Sequence, residues 1–399
     1  MNTTNTTQHI VIVGGGYAGT LSAVRLAGRA GRRARVTLVT ADGVLTQRLR
    51  MHQIATGQKI ASPDLDKLTG RRVAVERGWA TEIDTGRGAV RLADGGRTRE
   101  LRYDRLILAT GSTVRVDGTP GVAEHAHTLS NPRAAQRLRD AWRALPAGAV
   151  VAVGGGGLTG LETATELACA RGDLRVRLVT GGVLGDWMSA AGREYLAGSL
   201  RRLGVEVVDD VRIEAVRRDG FDLGDGADVP FDLAVWCGGF VASPLAADAG
   251  LATDARGSVV TDATLRSVTD PTVLAIGDAV SPPPLASGAA YQMTCQAGLP
   301  AGAHAADVVN AELRGRTPEP FDFGFMHRPV SLGRGDALIQ FMHRDDTPSE
   351  RVLTGRTAAV YKQVVSASPM PSIRAERLMP GTLRWPGAGA VREPAAVAG

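Results

Sequence analysis

Two glycine clusters carry the clearest chemistry in this 399-residue chain, Gly14-x-Gly16-x-x-Gly19 and Gly155-x-Gly157-x-x-Gly160. On a turn from strand into helix, glycines at that spacing let backbone N–H groups and the helix N-terminus close on a pyrophosphate that a Cβ would hold away. Both clusters have the right surroundings. Residues 9–13 (HIVIV) form a β-branched apolar run before the first, LSAVRLAGRA follows at helical spacing, and RVTLVT (35–40) reads as the next strand. The second cluster repeats the order with VVAV before it, LETATELACARG after it and RVRLVT (175–180) beyond. Two copies of one βαβ unit imply two dinucleotides.

An acid about 20 residues beyond the third glycine normally holds the ribose hydroxyls. The first unit offers Thr40 there, with Asp42 two places on. The second has Thr180 followed by Gly181-Gly182, with neither an acid nor an Arg, so spacing does not choose between NADH and NADPH. A second site that takes no nicotinamide is the competing reading. Glu162 sets a carboxylate just inside the second helix. Two more buried strands, RLILATG (105–111) and TVLAIGDAV (272–280), end in Gly111 and in Gly277-Asp278. A carboxylate at such a strand end suits a sugar hydroxyl, and the glycine lets the backbone approach.

Composition excludes several classes. With 44% hydrophobic and 22% charged residues the chain is globular, not disordered or fibrous, and its length suits two or three domains. The net charge is +5, but the arginines are spread along the whole chain without a binding motif, so no nucleic-acid partner is expected. Cys169, Cys237 and Cys295 are far apart and form no CxxC, which argues against a disulfide framework or a metal site; Cys169 and Cys237 are expected in the core. The N-terminus lacks a signal sequence and no run of about 18 apolar residues occurs. A cytoplasmic chain without stable membrane insertion is therefore expected. Further along, Asn131-Pro132 opens a helix, another runs roughly from Gln292 to Arg314, and 321–378 read as short strands followed by a helix over SERVLTGRTAAVYKQVV. The Gly-, Pro- and Ala-rich end reads as a tail.

The order GGGYAG, YDRLILATG, VGGGGLTGLE and TVLAIGDAV resembles the FAD/NAD(P)-binding pyridine nucleotide oxidoreductases, and among them type II NADH dehydrogenases and apoptosis-inducing-factor-like flavoproteins, over about residues 9–315. The resemblance implies an α/β fold with two Rossmann-like domains: a discontinuous FAD domain (1–115 and 240–315) and an inserted NAD(P)H domain (116–239). A small C-terminal α+β domain (316–380) and a flexible tail (381–399) complete it. FAD would lie on Gly14, Gly16 and Gly19, with Thr40 or Asp42 at the ribose and the Ala80 backbone at the adenine. Thr110 and Gly111 would pass the pyrophosphate, and Gly277 and Asp278 the ribityl chain. NAD(P)H would lie on Gly155, Gly157 and Gly160, with Glu162, Thr180 and Gly239.

The same resemblance sets Arg48-x-Arg50-x-His52 beside the isoalloxazine, where Arg48 would steady negative charge and His52 pass a proton. Residues 291–298 align with the AQxAxQQG segment that flanks flavin and quinone: Gln292, Gln296 and Gly298 match, while Thr294 and Ala297 depart. No Cys pair stands in VLTQRLRMHQIATG (44–57), so dithiol chemistry is excluded. The expected activity is hydride transfer from NAD(P)H to FAD and on to a small, quinone-like acceptor, with Glu162, Arg48 and His52 catalytic. A ferredoxin or rubredoxin reductase is one alternative, and a flavoprotein with a non-redox interaction or sensing role is another. A homodimer is the family's expectation.

Overall fold

A computed structural model describes residues 7–387. Strand β1 (Gln8–Val13), buried along nearly all its length, turns through the first glycine cluster into helix α1 (Tyr17–Ala30) and returns along β2 (Ala34–Thr40), parallel to β1. Short helix α2 (Met51–Ala55) precedes β3 (Val73–Arg77), which pairs with β2. A three-stranded antiparallel sheet (79–84, 89–94, 97–102) follows, and then β4 (Arg105–Leu108) pairs with β1 on its other side.

The chain leaves this sheet through β5 (Ser112–Val114). It then forms β6 (Ala126–Thr128), α3 (Pro132–Arg143), β7 (Val150–Gly154), α4 (Leu158–Ala170), β8 (Arg175–Val179), β9 (Val205–Val208) and β10 (Leu233–Trp236). These strands make a second parallel sheet in the order β9-β8-β7-β10-β6. The return strand β11 (Phe240–Ala242) runs antiparallel to β5, so one short ribbon carries both crossings. Strand β12 (Val273–Ala275) then completes the first sheet, in the order β12-β4-β1-β2-β3. Helix α5 (Cys295–Glu312) packs on α1. An antiparallel sheet of β13 (His327–Ser331), β14 (Ala337–Met342) and β15 (Pro348–Thr354) leads into α6 (Gly355–Ala367) and α7 (Pro369–Leu378). Two Rossmann-like sheets and a small α+β unit are the architecture expected. Both faces of parallel sheets are covered by helices, which is why their strands read as unbroken apolar runs.

Local signals fix several boundaries. Asn131 caps α3, its Oδ1 accepting from the Ala134 N–H at 2.9 Å, with Pro132 in the first turn. Thr294 caps α5, which therefore starts at Cys295 and not at Gln292. SERVLT is a strand, not part of a helix. Its pairing with β14, Leu353 opposite Ile339, overrides its helix-compatible residues, and Gly355 at φ +73° makes the break into α6. Helix α7 starts at Pro369, behind Ser368, the same Pro-in-first-turn signal that opens α3.

The two fingerprints share one construction. Gly155 takes φ +114°, and a Cβ there would come within 2.7 Å of the Cys237 carbonyl oxygen. A Cβ on Gly160 would collide with the Gly155 carbonyl oxygen, whereas one on Gly157 would meet no protein atom within 4 Å. Gly14, Gly19 and Gly16 repeat this pattern in the same order. Two glycines of each cluster thus answer to the fold, and the middle one faces outward.

A buried charge cluster closes the first domain. Arg25 on α1, 5% exposed, donates to Asp307 on α5 (2.6 and 3.0 Å) and to Glu376 on α7 (2.7 Å). Glu376 is fully buried and also accepts from the backbone N–H groups of Gly381 (2.7 Å) and Leu383 (2.8 Å). The segment read as a flexible tail is therefore strapped down over 381–387, with Leu383 and Trp385 packed on the first core. Residues 388–399 lie outside the described residues.

Arg25→Met strands the Glu376 carboxylate without its cation, and urea unfolding should show a loss of about 3–5 kcal/mol. Adding Glu376→Gln should recover much of it; no recovery would mean that the charge pairing is not what matters. Thermal unfolding separates the glycines: Gly160→Ala should cost about 2 kcal/mol or more, and Gly157→Ala less than about 0.5 kcal/mol.

Candidate active site

Helix α4 starts under the second glycine cluster and carries Glu162 and Glu166 one turn apart. Glu162 is 6% exposed. Its Oε1 accepts from Lys362 Nζ at 2.7 Å and from the Ser331 N–H at 3.1 Å, and its Oε2 lies 3.5 Å from His52 Nδ1. One carboxylate thus joins α2 of the first fold, α4 of the second, and β13 and α6 of the C-terminal unit. Burial pushes the Glu162 carboxyl up, but Lys362 and His52 outweigh it and hold the group below the usual range. Burial lowers His52, and the pull of Glu162 does not restore it. At neutral pH the cluster is therefore an ionised Glu162 between Lys362 and a neutral imidazole.

His52 Nε2 is buried and has no partner among the described residues. Lys362 spends a second N–H on the Pro329 carbonyl at 3.0 Å. The α2 segment is held from two sides. Thr56 Oγ1 (3.4 Å) and Gln58 Nε2 (3.2 Å) donate to Glu166, and Trp142 Nε1 on α3 donates to the Ala55 carbonyl at 2.7 Å. Burial raises the Glu166 carboxyl.

A second group gathers at Asp278. Arg48 donates to the Ser112 carbonyl, and Ser112 Oγ donates to Asp278 Oδ2 at 2.6 Å. Burial lowers the Arg48 guanidinium, while Asp278 draws it back. Gly277 takes φ +64°, and its carbonyl accepts from the buried Tyr291 hydroxyl at 3.2 Å. Gln296 Nε2 donates to the His327 carbonyl at 2.6 Å, tying the start of α5 to β13. Cys295, the first residue of α5, is exposed, and the charges of Lys362, Asp278 and Glu162 all act on its thiol. The segments 44–57 and 291–298 and the C-terminal unit do converge.

Other singled-out residues lie differently. The Thr40 and Thr180 hydroxyls are turned against the fingerprints, where a Cβ on Gly15 would lie 2.9 Å from Thr40 Oγ1 and one on Gly156 would collide with Thr180 Oγ1. Asp42 is exposed and accepts from the Val44 N–H at 3.2 Å, closing a local turn. Ala80 sits opposite Leu92 on the edge sheet. Beside Thr110, Gly111 (φ +69°) stands at one crossing and Gly239 (φ +92°) at the other, and a Cβ on either would meet nothing within 4 Å. The Gln292 carbonyl accepts from the Thr294 N–H at 2.7 Å. Backbone lies open to approach at Gly16, Gly111, Gly157 and Gly239, with the orphaned His52 Nε2 between the folds. That arrangement fits a dinucleotide at each fingerprint.

Lys362 escaped the sequence reading. Its one signal was rarity, since Lys59, Lys67 and Lys362 are the only lysines in an arginine-rich chain. All three cysteines are free. Cys237 is buried, with its thiol pushed up to about 12, but Cys169 is exposed, because it falls on the outer side of the last turn of α4. Among the described residues no helix is long and apolar enough to cross a membrane.

A family model described as pyridine nucleotide-disulphide oxidoreductase matches residues 8–293. An NADH dehydrogenase-like protein of Mycobacterium tuberculosis is 32% identical over 75% of this chain and 80% of its own length. A demethylphylloquinone reductase of Synechocystis is 25% identical over 90% of this chain and 93% of its own. Among solved structures, an NAD-dependent persulfide reductase from A. fulgidus superposes with a TM-score of 0.70 at 25% identity, over 84% of this chain; the chain spans 64% of that protein's length. Together with the paired glycine turns and the junction at Glu162, these matches show that the chain belongs to the pyridine nucleotide-disulphide oxidoreductase family and is an FAD- and NAD(P)H-dependent oxidoreductase.

Proposed function

We propose that this protein takes hydride from NAD(P)H onto FAD and delivers the electrons to a small, quinone-like acceptor. The observation that carries this reading is the buried Glu162–Lys362–His52 cluster at the meeting point of the two dinucleotide folds. FAD, when bound, supplies the ring that receives hydride and later gives up two electrons. Everything else is positioning and charge from the chain.

Gly14, Gly16 and Gly19 would hold the FAD pyrophosphate and Asp278 the ribityl hydroxyls; Gly155, Gly157 and Gly160 would hold the nicotinamide dinucleotide. Lys362 keeps one N–H beyond its bonds to Glu162 and Pro329, and can donate it to an electron-rich edge. Arg48 brings a second half-buried cation from the side of Asp278. Neutral His52, oriented through Nδ1 by Glu162, can accept or hand on a proton at Nε2. The acceptor space would be bounded by α2, the start of α5 and the C-terminal sheet. A quinone is favoured because the Synechocystis relative is by name a quinone reductase. Thr294 and Ala297 would tune that choice.

Anaerobic mixing of the FAD-loaded protein with NADH or NADPH should abolish the oxidised-flavin absorbance, and a soluble quinone should restore it. No loss with either nicotinamide would end the reading. His52→Gln should leave the first phase within about threefold and slow the quinone phase by about 10²-fold. Arg48→Met should slow the first phase by about tenfold or more.

A further inference from the structure

We infer that Asp209 and Asp210, at the end of β9, replace the missing ribose acid of the second fingerprint and make the site select NADH over NADPH. The inference rests on the reading that this fingerprint takes a nicotinamide dinucleotide. The usual acid belongs at the end of β8, where this chain has Thr180, whose side chain packs against Gly156. Gly181 and Gly182 then bring no side chain, and a Cβ on Gly182 would meet nothing within 4 Å. The loop that borders the adenosine ribose is thus bare backbone.

Its chemistry comes from the neighbouring strand. Val208 pairs with Val179, and the Thr180 N–H donates to the Val208 carbonyl at 3.0 Å, so Asp209 and Asp210 emerge beside the end of β8. The Asp210 N–H donates to the Gly182 carbonyl at 3.3 Å, and Asp209 Oδ2 accepts from the Leu184 N–H at 3.3 Å. Leu184 in turn lies against Gly156, where a Cβ would come within 3.1 Å of its Cδ1. The Asp209 carboxylate and the Asp210 backbone are therefore fixed to the 181–184 loop, and that loop is fixed to the fingerprint. Asp210 holds φ +56°, a conformation that Asp and Asn tolerate far better than bulky residues. Asp186, exposed on the same loop, adds a third negative charge. Arg212, the next cation along the chain, is paired with Glu214 (3.3 Å).

The first fold is the internal comparison. There Thr40 pairs with Arg77, so the matching place beside the strand end carries a cation, which lies against Gly43. The architecture accepts either sign, and the second fold has the acidic version. A carboxylate accepts from the ribose 2′-hydroxyl but repels a 2′-phosphate, which carries about −1.5 to −2 charges at neutral pH.

Calorimetric titration of the FAD-loaded full chain with ADP-ribose and with 2′-phospho-ADP-ribose tests this without hydride transfer. ADP-ribose should bind at least about 30-fold more tightly, and kcat/KM for NADH over NADPH should follow. Asp209→Asn with Asp210→Asn keeps the loop bonds and the left-handed backbone, and should narrow both ratios to within about threefold. Equal or reversed preference in the natural chain, or an unchanged ratio in the double variant, overturns the inference while leaving the second fingerprint a nicotinamide site. Binding of neither ligand overturns both.

Discussion

An ionised carboxylate buried to 6% exposure survives only if it is paired and hydrogen-bonded, and Glu162 draws every partner from outside its own helix. His52 comes from the first fold, and Lys362 and the Ser331 N–H from the C-terminal unit. The requirement to satisfy this one charge therefore fixes how three parts of the chain meet. It also fixes what they present there: a cation, a neutral imidazole with one free nitrogen, and a carboxylate that neither acid nor water readily reaches.

Around that junction each dinucleotide fold repeats the same steric solution. Gly14 and Gly155 sit under a neighbouring carbonyl, Gly19 and Gly160 let the helix close on the strand, and a threonine at the next strand end fills in beneath the turn. The copies differ beside the strand end that follows each fingerprint helix. Arg77 lies beside the first strand end and the Asp209–Asp210 pair beside the second. The crossing ribbon of β5 and β11 brings Ser112 to Asp278, so the connection between the folds is tied to the segment that follows β12.

Much of this was legible from local pattern. The βαβ repeats and the strand ends at Gly111 and Gly277 follow from glycine placement and apolar runs, and the capped helix from Asn131-Pro132; that 44–57 and 291–298 belong to one site came only from the family resemblance. What stayed hidden depends on contacts far apart in the chain. Lys362 has no motif around it and acquires meaning only when α6 folds back on α4. Asp209 follows a neighbouring strand, where spacing from the fingerprint cannot locate it. SERVLT became a strand by pairing with β14, and 381–387 were held by Glu376, whose role depends on Arg25 more than 300 residues away. Thr40 and Thr180 stand where an acid is expected, yet both side chains pack beneath the turns.

The most direct test of this account is a double-mutant cycle between Glu162→Gln and Lys362→Met, read by unfolding of the FAD-loaded chain. A dependence of three segments on one buried pair predicts that each single change costs several kcal/mol and that together they couple by about 2–3 kcal/mol, the double variant being little worse than either single one. Additive losses within about 0.5 kcal/mol would show that Lys362 does not sustain the Glu162 charge, and would contradict the account at its centre.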